Sequence, residues 1–237
     1  MENQIKEAQL SQEWFDIRVG RFTGSQMFKL MTGGKRDMTE QELEDYKRDN
    51  PKGKRTTVDT MFGDTALTYI FEKACDIVFG RNEEEQFDTF DMQRGRTLEP
   101  VIFAKFKELK EAEFMTVEET SFFVYGDNAG ASPDCLVDKD AIGEFKAPRA
   151  PKFFKLVKDG YSAIDFEYIV QMQTEIMVTN SKRCHFFNYI IYNGKPMWHE
   201  IIVERDEAMI EKIKERIAEA VKVRDEYVKQ LQANIQF

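Results

Sequence analysis

The sequence predicts one α/β domain over residues 1–237: a central mixed β-sheet flanked by helices, a helical N-terminal portion and a long C-terminal helix. Three observations predict it. Apolar residues recur at helical spacing up to residue 112. Runs rich in β-branched and aromatic residues follow between 114 and 148 and again between 183 and 204. A helical pattern then resumes at 206–232. Hydrophobic residues make up 42% of the chain and aromatics 13%, enough for a packed core, which excludes a disordered chain.

The elements read in order. "GSQMFKLM" (24–31) opens a helix behind a Thr-Gly-Ser capping signal. Residues 32–57 hold seven Lys/Arg and six acids with little to bury, and read as a charged mobile excursion with a short helix at 39–48. It is either a solvated loop or a DNA-contacting flap. "TVDTMFGDTALTYIFEKACDIVFG" (57–80) is helical and ends in glycine. In 94–112, Leu98, Val101, Ile102, Phe106 and Leu109 form one stripe, and Pro100 starts the helix near 98 or bends it there. "FMTVEETSFFVYG", "ASPDCLVD" and "AIGEFKAP" read as strands. A helix at 163–179 and a hairpin turning at "NGK" lead to the last helix.

Bulk properties narrow the function. The net charge of −9 argues against a general nucleic-acid binder, unless positive charge is confined to one groove. Three scattered cysteines, with no CxxC pair, exclude a disulfide framework, a zinc ribbon and an iron–sulfur cluster. The N-terminus lacks an apolar signal region, and no apolar run nears the ~20 residues of a membrane span. A cytoplasmic protein without membrane contact is expected. His185 and His199 lack metal-ligand spacing and read as strand residues.

The chemistry concentrates in "GASPDCLVDKDAIGEFKAP" (130–148). Residues two apart on a strand share a face, so Glu144 and Lys146 project together while Phe145 faces the core. Asp134, on the preceding strand of a hairpin, reaches the same edge. Two hard oxygen ligands with backbone carbonyl and water suit Mg²⁺, with Mn²⁺ as a substitute, rather than zinc. Such an ion polarises a phosphate oxygen and lowers the pKa of a bound water. Lys146 then orients that water, deprotonates it if its own pKa falls, or holds phosphate charge. The plain alternative is a surface hairpin with an ordinary Glu/Lys pair. Arg18 and Ser25 suit an anion, since residues 23–25 open a helix and arginine grips phosphate bidentately. A surface ion pair is the alternative for Arg18. "KFFKLVK" (152–158) is either a basic stripe or a solvated amphipathic helix.

Pro133 before the aspartate, Gly143 before the glutamate and Pro148 after the second strand give the PD-(D/E)xK nuclease arrangement, which has a restriction-endonuclease-like core. Within that superfamily the chain resembles the phage lambda exonuclease or YqaJ-type viral recombination nucleases. Five features carry the resemblance from about residue 11 to 205: Trp14, Arg18, Gly20, Thr23 and Ser25 in "EWFDIRVGRFTGSQM"; "QRGRTLEPV" with Glu99; "GASPDCLV"; "GEFKAP"; and "YIVQMQTEIMVT" with Gln171. The resemblance implies that Asp134, Glu144 and the carbonyl of Phe145 bind the principal Mg²⁺. It implies that Glu99 reaches a second ion or its waters, and that Lys146, assisted by Gln171, positions the attacking water. Arg18 and Ser25 would hold the 5′-terminal phosphate. Read from the residues alone, Glu99 is equally a helix-start acid and Gln171 a surface residue, with Glu175 one turn on.

By the same resemblance the protein degrades one strand of linear duplex DNA 5′→3′, exposing 3′ overhangs for phage-type recombination. Its assembly would be a homotrimeric ring on double-stranded DNA ends, its partner a single-strand annealing protein, and its setting the cytoplasm of a bacterial host. The alternatives are an endonuclease of the same superfamily and a non-catalytic DNA-binding or assembly module on a nuclease fold.

Overall fold

The computed structural model describes residues 4–5, 12–81 and 90–235. Strand β1 (Gln4–Ile5) and helix α1 (Gln12–Ile17) precede β2 (Phe22–Thr23), a 3-10 turn at Gly24–Gln26 and the short helix α2 (Met27–Leu30). An arm follows, made of β3 (Gly34–Asp37), α3 (Glu40–Asp49) and β4 (Thr57–Thr60). Helices α4 (Asp64–Phe79) and α5 (Phe90–Ala112) lead to strands β5 (Val117–Glu119), β6 (Phe122–Tyr125), β7 (Ala129–Ala131), β8 (Cys135–Val137) and β9 (Ala141–Lys146). Then come α6 (Ala150–Asp159), α7 (Phe166–Thr179), β10 (Arg183–Tyr192), β11 (Lys195–Glu204) and α8 (Glu207–Asn234).

The main sheet has strand order β11-β10-β9-β8-β5. Only β9 and β10 run parallel in it, so it is a mixed sheet as the sequence predicts. Alternation along the strands splits their side chains between two apolar layers. Phe145 of β9 and Phe187 and Tyr189 of β10 pack with Ile102 and Phe106 of α5 on one face. Ile142 of β9 and Cys184 and Phe186 of β10 join α7 and α8 on the other. Coverage of both faces explains why β10 reads as a nearly continuous apolar run. A second sheet, β1-β6-β7-β2, brings β2 parallel to β7 and so anchors the N-terminal segment beside α7.

Local chemistry accounts for the element ends. Thr39 and Glu42 close a capping box on α3. Gly80 ends α4 with φ +69, and Asn180 ends α7 with φ +54. Asn193 and Gly194, both at positive φ, turn the β10–β11 hairpin.

Four expectations need correction. The helix read over 57–80 begins only at Asp64, because Thr57–Thr60 pair with Gly34–Asp37 as a strand. Helix α5 begins at Phe90, not near 98, and continues through Pro100. The proline forfeits one backbone hydrogen bond, a cost of about 3 kcal/mol or more, but burial of Ile102 and Phe106 against the sheet keeps the helix in register. The 32–57 stretch carries the predicted helix, at Glu40–Asp49, but the strands at its two ends pair with each other as well. The arm's base is held by Arg216 of α8, whose guanidinium donates to the carbonyls of Leu30 and Met61. Finally, the segment behind Thr23 opens as one 3-10 turn and a four-residue helix, and Thr23 makes no side-chain cap. Its amide donates to the Tyr69 hydroxyl at 3.0 Å instead, so a long helix dipole is not available to Ser25.

Candidate active site

Two close approaches set the site's walls. A Cβ on Gly143 would lie 2.5 Å from Cys135 Sγ, so glycine lets β8 and β9 meet just before Glu144. A Cβ on Gly24 would lie 2.7 Å from that of Ala131, so glycine lets the 3-10 turn settle on β7 and carry Ser25 to the cavity.

On the β8–β9 pair, Cys135 stands opposite Gly143, and Asp134 lies just before that pair, close to Glu144. The Asp134 amide donates to the Gly143 carbonyl at 3.0 Å, and the Phe145 amide donates to Asp134 Oδ2 at 2.5 Å. Glu144, only 2% exposed, turns toward α7. Lys146 Nζ donates to Glu144 Oε1 at 2.5 Å, and Gln171 Nε2 donates to the same oxygen at 2.8 Å. Gln171 also donates to Glu175 Oε1 at 2.9 Å. The ammonium of Lys146 sits 4.8 Å from the centre of the Tyr168 ring.

These groups line one cavity of about 670 Å³, large enough for a nucleotide. Glu99 of α5 lines it too, as do Arg18 and Ser25 from the N-terminal segment. All eight sequence-predicted site residues therefore meet at one cavity: Arg18, Ser25, Glu99, Asp134, Glu144, Phe145, Lys146 and Gln171. Arg18 lies 5.5 Å from the Phe122 ring centre and Ser25 is exposed. Arg94, Arg149 and Lys152 add positive charge to the wall, beside Asp165 and the acids already named. Lys152 faces inward, donating to Asp165 and to the Ala163 carbonyl. The side chain of Trp14 lies outside the described residues.

Burial, followed by the charge of Glu144, pushes the Asp134 carboxyl well above the ordinary carboxylate range. The same two causes raise Glu99 and Glu175. For Lys146, burial opposes the charged form, but Glu144 and Asp134 outweigh it and the pKa rises. Without an ion on Glu144 and Asp134, those two carboxylates hold Lys146 in its charged form.

The donor set fits a hard divalent cation. The carboxylates crowd and repel one another, and Glu144 Oε2 and Glu175 Oε2 are buried without a hydrogen-bond partner. Among the described residues no three His, Cys, Asp or Glu side chains converge to hold an ion. Glu99 thus lines the cavity without forming a three-carboxylate cluster with Asp134 and Glu144. Two carboxylates with carbonyl and water match Mg²⁺, which retains several waters and takes few protein ligands.

The sequence places Gln171 and Glu175 one turn apart on a face away from the core stripe, and both line the cavity. What it does not give is the burial of Glu175, which is 1% exposed.

Residues 13–182 match the YqaJ-like viral recombinase domain. The chain belongs to that family. Among curated proteins it has no match. The fold of this YqaJ-like domain is that of an alkaline exonuclease from Laribacter hongkongensis, LHK-Exo, at 24% identity and TM-score 0.71, covering 94% of this chain and 97% of that one. The same exonuclease in complex with dAMP superposes at TM-score 0.70, with 24% identity and the same coverage. A phage-related exonuclease from Haemophilus somnus 129PT matches at 17% identity and TM-score 0.60, over 89% of this chain and 96% of that one. The chain is thus a member of a viral recombinase family with a fold shared with those exonucleases. Among its described residues no helix is long and apolar enough to cross a membrane.

Proposed function

We propose that this protein is a Mg²⁺-dependent exonuclease that degrades one strand of linear double-stranded DNA from its 5′ end, leaving 3′ overhangs for phage-type recombination. One observation carries the reading: the carboxylate pair with its lysine and the Arg18–Ser25 end line a single cavity. A chain end held at Arg18 and Ser25 would present a nearby phosphodiester to Asp134, Glu144 and Lys146. Asp134, Glu144 and the carbonyl of Phe145 hold the principal ion in this reading, and Glu99 reaches a second ion or its waters. Bound there, Mg²⁺ polarises a phosphate oxygen and lowers the pKa of a coordinated water. Glu144 keeps Lys146 and Gln171 aimed at the reacting phosphate. Lys146, beside Glu144, orients the attacking water or sets positive charge beside the developing negative charge. Arg18 grips the terminal phosphate as a fork.

The likeness to two exonucleases, from Laribacter hongkongensis and Haemophilus somnus, supports the exonuclease reading over an endonuclease or a non-catalytic module. We further propose a homotrimeric ring on the duplex, a single-strand annealing protein that receives the overhang, and a site of action in the host cytoplasm. A ring also explains how a protein of net charge −9 stays on DNA, since encirclement supplements charge. Linear and closed circular duplex, incubated with wild type and Asp134→Asn in Mg²⁺, test the function. Loss of linear DNA alone, and only with wild type, supports it; nicking or cutting of the circle supports the endonuclease.

A further inference from the structure

We propose that Glu175 is a positioning residue of this site, fixing the side-chain amide of Gln171 so that its nitrogen faces the carboxylates and its carbonyl oxygen faces away from them. The proposal rests on the nuclease reading for its consequence and on geometry for its mechanism. A primary amide nitrogen carries two hydrogens. Gln171 Nε2 places them on Glu144 Oε1 at 2.8 Å and Glu175 Oε1 at 2.9 Å. A flipped amide would set its oxygen against Glu144 Oε1, exchanging that hydrogen bond for a repulsive contact, and would withdraw its second hydrogen from Glu175 Oε1. With Glu144 alone, one hydrogen would be unclaimed and the amide could swing about the remaining bond.

Packing gives no other reason for an acid at 175. The side chain is 1% exposed, and its flanking helical neighbours Met172, Ile176 and Val178 are apolar core residues. Its second oxygen, Oε2, has no hydrogen-bond partner. A buried carboxyl with half its acceptors unused is destabilising, so an apolar residue would serve the fold better. The consequence falls on the reaction: Gln171 lines the cavity beside Lys146, and its locked amide keeps one N–H on Glu144 Oε1, the oxygen that Lys146 also contacts, so the placement of that carboxylate is fixed.

The test pairs E175M, which keeps volume and removes the acceptor, with E175Q, which keeps an acceptor oxygen. Cleavage of linear duplex is measured for each alone and in a Q171A background, and the Gln171 side-chain amide is followed by NMR in ¹⁵N-glutamine-labelled protein, assigned by its loss in Q171A. E175M should lower kcat on the order of tenfold with KM for DNA unchanged, and E175Q should recover most of that loss. Neither should lower activity further once Gln171 is absent. One Gln171 amide proton should lose its hydrogen-bonded shift in E175M and keep it in E175Q. An equal loss from E175M with and without Gln171, or an unchanged Gln171 resonance pair in E175M, overturns the proposal. A wild type that cleaves nothing refutes the nuclease reading instead, and the amide spectrum then still decides whether Glu175 holds Gln171.

Discussion

Asp134, just before β8, is tied to β9 at two points: its amide donates to the Gly143 carbonyl at 3.0 Å, and its carboxyl accepts from the amide of Phe145 at 2.5 Å, one residue beyond Glu144. These two bonds hold the two acids close together, and under the proposed function an ion between them would relieve their repulsion.

Mn²⁺ binding should therefore depend on both acids. Titration followed by electron paramagnetic resonance should show tight binding to wild type and a loss of at least tenfold in affinity for Asp134→Asn or Glu144→Gln. Circular dichroism should show both variants folded, because neither change adds volume. Undiminished binding in Asp134→Asn would remove that residue from the ligand set.

Removing the acid at Glu175 should stabilise the metal-free protein more at high pH than at low pH. Burial, then Glu144, raises its folded pKa. As pH rises through the ordinary carboxylate range, the unfolded chain ionises first, so the folded state loses relative stability until pH passes the raised value. Glu175→Met lacks this loss. Its melting temperature minus that of wild type, measured in EDTA, should grow from pH 5 to pH 8; a constant difference contradicts a raised pKa.

Arg18→Ala should slow digestion of 5′-phosphorylated duplex by about ten- to a hundredfold and scarcely affect 5′-dephosphorylated duplex, which wild type itself should digest slowly. Paired time courses on the two substrates check this. Equal slowing on both assigns Arg18 to general DNA contact.

A second buried network should govern stability but not cleavage. Glu200 of β11 bonds His185 at 2.6 Å and Lys110 of α5 at 2.9 Å, and Lys110 also bonds Glu113. Burial opposes the Glu200 charge, but the bonds from His185 and Lys110 outweigh it and lower its pKa. The network's stability is thus present above the ordinary carboxylate range and fades as pH falls through the folded value. Glu200→Gln should cost about 2 kcal/mol at pH 7, a drop of roughly 4–8 °C in Tm, with a smaller difference at pH 4. Nuclease rate below the melting range should be unchanged, because the network lies on the α5 face of the sheet.

The sequence made the strands and the site legible for one physical reason. Period-two alternation fixes which face a side chain takes, so Glu144 and Lys146 could be separated from Phe145 without coordinates. Helix α7 was legible only in part. Its spacing sets Gln171 and Glu175 on one face, but burial of Glu175 is decided by β9 and β10 packing against it. The β3–β4 pairing was hidden because "GKRD" and "TVDT" are too short and polar to alternate. Helix α5 was cut short because Pro100 is a local stop signal that long-range burial overrides.

The central claim is tested most directly by a digestion time course on linear duplex labelled at one 5′ or one 3′ end, with Mg²⁺ or with EDTA. The account predicts that with Mg²⁺ the 5′ label leaves at once as small product while the 3′ label stays on a shortening strand, and that EDTA stops both. Early release of the 3′ label, internal fragments from either end, or digestion undiminished in EDTA would contradict it.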